Sequence, residues 1–295
     1  MIFDTNHRTT AKIACLKSQG ILCVIRYYAR STQQPEKRLT RAEAEALIRA
    51  GISIGVVHQS GGNSSGAFSA EKGKRDANYA VDYAVNTIGQ PSGSTIYFAV
   101  DYDAKLGDVT NKIIPHFLAV KEVCDRGLDG NVYDVGAYGN GLVLKRLLDD
   151  RIIKYAWLSQ STRHQGSAAF KASNRWTLFQ HLPSTVCNLD VDVDDLNTNA
   201  AGFGQFDALN AIGASPAIQI APPVAPTAVS RYVVSARTGL RLRSGPGTQF
   251  DIMRELTPGT ALAIVSRVGD WAMVDLGFDG LIDGAVHSAF LRPET

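Results

Sequence analysis

Between residues 1 and 200 the chain alternates short apolar runs with amphipathic stretches, most of them closed by a glycine. The apolar runs predict strands at residues 2–4, 21–27, 52–58, 95–100, 131–138, 154–158, 176–181 and 189–193. Apolar spacing of three and four predicts helices at 10–19, 39–50, 70–88, 109–125 and 142–149. Thr40 and Glu43 form a capping box at the start of the second of these, and Gly51 ends it. Pro115 is tolerable only near the first turn of its helix. Around 168–173 only a short helix, or none, is expected. The run Thr95-Ile96-Tyr97-Phe98-Ala99-Val100 is apolar on both faces, as in a parallel sheet covered by helices. Strands alternating with helices in this way predict an α/β fold, a (β/α)8 TIM-like barrel, in preference to an open doubly wound sheet.

The pattern changes after residue 211. Pro216, Pro222, Pro223 and Pro226 among small residues predict a semi-extended linker over 213–230. Beyond it come short β-type runs at 232–236, 239–243, 261–265, 271–275 and 280–283, with turn signals between them. They predict a small all-β barrel. The expected organisation is therefore a barrel domain at 1–212, a linker at 213–230 and a β domain at 231–295.

Composition narrows the function. The 295 residues carry a net charge of +2, which gives no pull toward nucleic acid or an anionic membrane. No apolar run has the length of a transmembrane helix. The chain enters its first strand at once, with no signal-peptide pattern, so the expected routes to a wall or periplasm are phage lysis or a secretion machine; otherwise the protein stays in the cytoplasm. Cys15, Cys23, Cys124 and Cys187 show no C-x-x-C spacing and are expected as buried free thiols. Nothing in the sequence sets an oligomeric state.

A (β/α)8 barrel gathers its chemistry at the C-terminal ends of its strands. Those ends supply Asp4, Arg26, Tyr27, His58, Gln59, Asp101, Asp103, Tyr138, Trp157, Gln180, Asp190 and Asp192. Carboxylates suit glycosidic cleavage, which needs an acid for the leaving oxygen and negative charge beside the oxocarbenium ion. Aromatic planes and amides suit a sugar. Asp101 is the expected acid, and Asp190 or Asp192, with Asp4, is expected to stabilise the cation, position water or engage an N-acetyl group of the substrate. Arg26, Tyr27, His58, Gln59, Asp103, Tyr138, Trp157 and Gln180 are expected around the substrate, with Arg26 more suited to orienting a carboxylate. There is no G-x-S-x-G for acyl transfer and no G-x-G-x-x-G for a dinucleotide. His58 has no second strand-end histidine beside it, so no metal and no cofactor are expected.

Phe3-Asp4-Thr5-Asn6, Val24–Tyr28, Ile96–Asp103, Gly136-Ala137-Tyr138-Gly139, Tyr155-Ala156-Trp157 and Phe179-Gln180-His181 followed by Asp190-Val191-Asp192 stand in an order that resembles the lysozyme-type barrels of glycoside hydrolase family 25. They resemble more closely a glycoside-hydrolase-like domain of unknown function related to that family. The lysozyme-type pattern has an aspartate on strand one, Asp-x-Glu on strand four and an aspartate on the last strand. Asp4 and Asp190 or Asp192 match the outer two. On strand four Ala99 replaces the aspartate and Asp101 the glutamate, unless Asp101-Tyr102-Asp103 is the equivalent segment. Leu240–Thr248, LRLRSGPGT, resembles the hallmark of bacterial SH3-like wall-binding domains, and Gly269-Asp270-Trp271 one of its later turns. The resemblance implies a muramidase-like enzyme acting on peptidoglycan or another cell-wall glycan, held on the polymer by its β domain. The alternatives are a barrel acting on a different polysaccharide and a catalytically weak glycan-binding protein, which the Ala99 departure favours.

Overall fold

A computed structural model describes residues 1–30, 32–212, 231–243, 245–248, 250, 252–278 and 282–294. The expected linker at 213–230, and Ser244, Gly280 and Leu281 of the β domain, lie outside the described residues. The chain divides into two compact units, Met1–Pro216 and Ala217–Thr295.

In the first unit eight strands close into a barrel in sequence order. They are β1 (Ile2–Asp4), β2 (Cys23–Tyr28), β3 (Ser53–His58), β4 (Thr95–Ala99), β5 (Asp134–Gly139), β6 (Tyr155–Leu158), β7 (Leu178–Val186) and β8 (Leu189–Leu196). Around them lie α1 (Ile13–Ser18), α2 (Arg41–Arg49), α3 (Ala70–Asp82), α4 (Leu106–Asp108), α5 (Ile114–Arg126), α6 (Gly141–Asp149) and α7 (Ser167–Ala172). Pro115 sits at the start of α5, just after a wide π-helical turn at Val109–Ile113. A wider turn moves the carbonyl that the proline ring would otherwise strike.

β1 to β7 pair in parallel, whereas β8 runs antiparallel to both β7 and β1. The last strand–helix unit is replaced by a hairpin. Its turn is Cys187-Asn188, with φ of 54° and 60°, as a type I′ hairpin requires at both central positions. Reversal sends the start of β8, not its end, to the rim where β1–β7 finish. The expected seventh strand stopped at His181. The real one passes through Pro183, where the register with β8 shifts. Proline there removes a ladder donor and disguises the strand.

Cys15 in α1 and Cys187 in that turn form a disulfide. This corrects the expectation of four free thiols; only Cys23 and Cys124 among the described residues are free and buried. Sequence spacing carries no trace of the pairing, because 172 positions separate the two.

Strand alternation creates two cores. Outward residues such as Val24, Val56, Ile96, Phe98 and Ala137 meet the helices. Inward residues Ile2, Ile25, Val57, Tyr97, Trp157 and Leu178 fill the barrel, with Phe203 packed among them. At Gly136 any side chain would collide with the inward Tyr97 ring, whose atoms lie 2.5 Å from where a Cβ would be.

The second unit is a seven-stranded antiparallel sheet in the order β11-β10-β14-β13-β12-β9-β15. The strands are β9 (Arg231–Val234), β10 (Leu240–Arg243), β11 (Ile252–Leu256), β12 (Ala261–Val268), β13 (Trp271–Asp275), β14 (Gly284–His287) and β15 (Leu291–Pro293). Leu240, Leu242, Leu256, Leu262, Val274 and Val286 form its core. β11 escaped the sequence pattern because four of its five residues are exposed.

Candidate functional site

One ring of inward side chains caps the barrel interior at its rim. Asp4 ends β1, and its backbone partner across the sheet is Asp192 of the reversed β8. Tyr27 donates its hydroxyl to Asp4 Oδ1 at 2.8 Å, and Gln180 Nε2 donates to Asp4 Oδ2 at 2.7 Å. The same Gln180 amide reaches Asp192 Oδ2 at 3.5 Å, while its Oε1 accepts the Tyr138 hydroxyl at 2.8 Å. Just beyond β3 and β4, Gln59 Nε2 donates to Asp101 Oδ2 at 3.1 Å. Lys37 donates to Gln59 Oε1 at 2.7 Å and lies 4.3 Å above the Tyr27 ring. A cleft of about 220 Å³ opens here, lined by Ala29, Thr32, Lys37, Gln59, Asn63 and Asp101.

Burial governs the charge states. Asp4 is 3% exposed, and desolvation pushes its carboxyl up to about 7, against the two donors that hold it down. The Asp192 carboxyl is also raised, first by burial and then by the charge of Asp101. Below them Asp194 is held far above the usual carboxylate range by burial, with the neighbouring Asp4 adding to the effect. Its Oδ1 accepts the indole N–H of Trp157 at 2.7 Å, and its buried Oδ2 has no partner. Burial first, and then the charges of Asp101, Asp4, Asp192 and Asp194, hold the proton on the Tyr138 hydroxyl. Such a ring can store protons and present negative charge to one small region.

The ring therefore brings together Asp4, Tyr27, Gln59, Asp101, Tyr138, Gln180 and Asp192. Other expected residues lie elsewhere. Arg26 is fully buried on the outer face of β2, where it binds Glu43 at 3.1 Å and the carbonyls of Thr5 and Glu36. It does neutralise a carboxylate, as its chemistry suggested, but one outside the ring. His58 also faces outward, between the rings of Tyr79 and Phe98 and 3.8 Å from Asp76. Asp103 accepts from Lys105, from Asn140 at 3.2 Å and from the backbone N–H of Gln165 at 2.7 Å, and so fastens loops. Trp157 is buried a layer below the rim. Asp190 stands in solvent with His7 4.0 Å away. Lys37 and Asp194 were not anticipated. Asp194 shares a strand face with Asp190 and Asp192, a period-two signal present in the sequence. Among the described residues no three His, Cys, Asp or Glu side chains form a group that could hold a metal ion. No helix there is long and apolar enough to cross a membrane.

Known proteins show similar features. Residues 14–215 match the Rv2525c-like, glycoside hydrolase-like domain, and residues 238–292 match the bacterial SH3 domain. The uncharacterized protein YbfG of Bacillus subtilis is 32% identical over 186 residues, which are 60% of this chain and 25% of YbfG. FadG of the same organism, also uncharacterized, is 29% identical over 192 residues, or 63% of this chain and 33% of FadG. The chain thus spans a quarter to a third of the length of these curated relatives. The crystal structure of the Tat-secreted protein Rv2525c of Mycobacterium tuberculosis superposes with a TM-score of 0.58 at 21% identity, covering 69% of this chain and 97% of that one.

Proposed function

In a chain that belongs to the Rv2525c-like, glycoside hydrolase-like domain family and also carries a bacterial SH3 domain, we propose a cell-wall hydrolase that cuts the glycan of peptidoglycan in the manner of a muramidase. The observation that carries this reading is the polar ring in which Gln180 joins Asp4, Asp192 and Tyr138, with Asp101 held by Gln59 on an open, polar cleft. Asp101 lines that cleft and is assigned the acid role: it passes a proton to the glycosidic oxygen as the C1–O bond breaks. Asp192 sets negative charge against the oxocarbenium ion, and Asp4 joins it above about pH 7, where its raised carboxyl is ionised. Water then adds to C1 and its proton returns to Asp101. Asp190, at the exposed start of β8, is left to contact the polymer. The SH3 domain holds the enzyme on wall, which raises local substrate concentration. The Cys15–Cys187 disulfide supports action outside a reducing cytoplasm.

Wild type and Asp101→Asn, each incubated with purified peptidoglycan, test the proposal by mass spectrometry of the soluble fraction. Wild type is expected to release muropeptides with new reducing ends, and the variant at least about 100-fold fewer. Anhydro or peptide-only products would overturn the assignment. A second reading rests on Ala99, whose backbone partner is Tyr138 and which puts a methyl where the lysozyme-type pattern has a carboxylate. It makes the barrel a glycan-binding surface, and predicts that both proteins pellet with wall and release nothing.

A further inference from the structure

We infer that Lys37 reads a carboxylate carried by the glycan, so that the site takes acid-bearing sugars in preference to neutral ones. The inference deepens the glycan-hydrolase reading and rests on it. Lys37 lines the open cleft with Thr32, Gln59, Asn63 and Asp101. Its hydrogen-bond partner there is an amide oxygen, Gln59 Oε1 at 2.7 Å, and among the described residues it has no ion pair within 4 Å. An ammonium has three N–H donors. The bond to Gln59 uses one, and the Tyr27 ring 4.3 Å away stabilises the cation from one side. Donors therefore remain for a group entering the cleft. Asn63 adds a neutral amide donor to the same wall.

The ring behind Lys37 is otherwise acidic: Asp4, Asp101 and Asp192 would repel an anionic sugar placed near them. Among the described residues that line the cleft Lys37 is the one cation, and it fixes where such a sugar's charge must go. Burial lowers the pKa of the Lys37 ammonium, and the nearby charges of Asp101 and Asp4 offset part of that effect. Geometry and charge thus point to one recognition contact, a charge-assisted hydrogen bond from Nζ to a sugar-borne carboxylate. The two chemical sources of that group are the lactyl ether of a muramoyl residue whose stem peptide has been removed, since an attached peptide turns that carboxyl into an amide, and a ring-borne uronate.

Titration of the full chain by calorimetry or NMR tests this. The probes are the N-acetylglucosaminyl-N-acetylmuramic acid disaccharide with its free lactyl carboxylate, the same disaccharide as the neutral carboxamide, and a glucuronate-containing disaccharide. The carboxylate form is expected to bind about tenfold tighter than the amide, the effect of one charge-assisted hydrogen bond. Lys37→Met is expected to erase that ratio and Lys37→Arg to keep most of it. Tight binding of the uronate as well would assign recognition to any sugar carboxylate, and its absence would assign it to the lactyl group. If Lys37→Met leaves the ratio intact, or weakens both muramyl forms equally, Lys37 merely braces Gln59 and Asp101 and the inference falls. Failure of all three sugars to bind wild type would overturn the glycan reading itself.

Discussion

A carboxyl group sealed inside a barrel is a liability that depends on pH, and Asp194 shows it most clearly. Burial keeps the proton on the native side chain, whereas the unfolded chain gives it up near pH 3.9. Above that pH folding must take up a proton, so this residue lowers stability as pH rises. Asp4 acts in the same direction between about pH 4 and its raised value of about 7. Asp194→Asn keeps an oxygen to accept the Trp157 N–H and removes the proton requirement. We expect the variant to be about 1–3 kcal/mol more stable than wild type at pH 8, and level with it near pH 3, in urea unfolding. Equal stability at pH 8 would show that Asp194 is not held protonated. The residue was legible as the third carboxylate of a D-x-D-x-D alternation. It was passed over because the strand was expected to stop at residue 193.

At the level of elements, the ends of β2 and β3 each offer two neighbouring polar residues, and alternation turns only one of them inward. Tyr27 and Gln59 face the ring while Arg26 and His58 face the helices. Arg26 then becomes the bolt between β2 and α2. Thr40 caps that helix as its sequence indicates, by accepting the Glu43 backbone N–H. The Glu43 carboxylate does not close the capping box: it takes Arg26 and both the N–H and hydroxyl of Thr9. Glu43→Ala would leave a buried guanidinium without its anion, and a loss of about 3–5 kcal/mol is expected in urea unfolding. A loss under 1 kcal/mol would mean that the two carbonyl contacts of Arg26, to Thr5 and Glu36, suffice. Sequence spacing identified the cap, because a cap is local. It could not identify the bolt, because the two partners meet only once β2 and α2 are packed.

For the whole molecule, the barrel and the β domain were legible because each repeats its own period, strand with helix or strand with turn. The reversed last strand was not, since an isolated apolar run says nothing of its direction. That reversal is what delivers Asp192 to the same rim as Asp4. The barrel unit has its own core, separate from that of the sheet. Residues 1–216 alone are expected to keep turnover of a soluble glycan within about twofold, and to lose tenfold or more on insoluble wall, where tethering matters. Equal loss on both substrates would contradict a tethering role. The disulfide has one further consequence. By joining residue 15 to residue 187 it makes most of the barrel a closed covalent ring. A protease that cuts once anywhere inside that ring opens it without releasing a fragment. Nicked barrel therefore remains one molecule until a reductant reaches it.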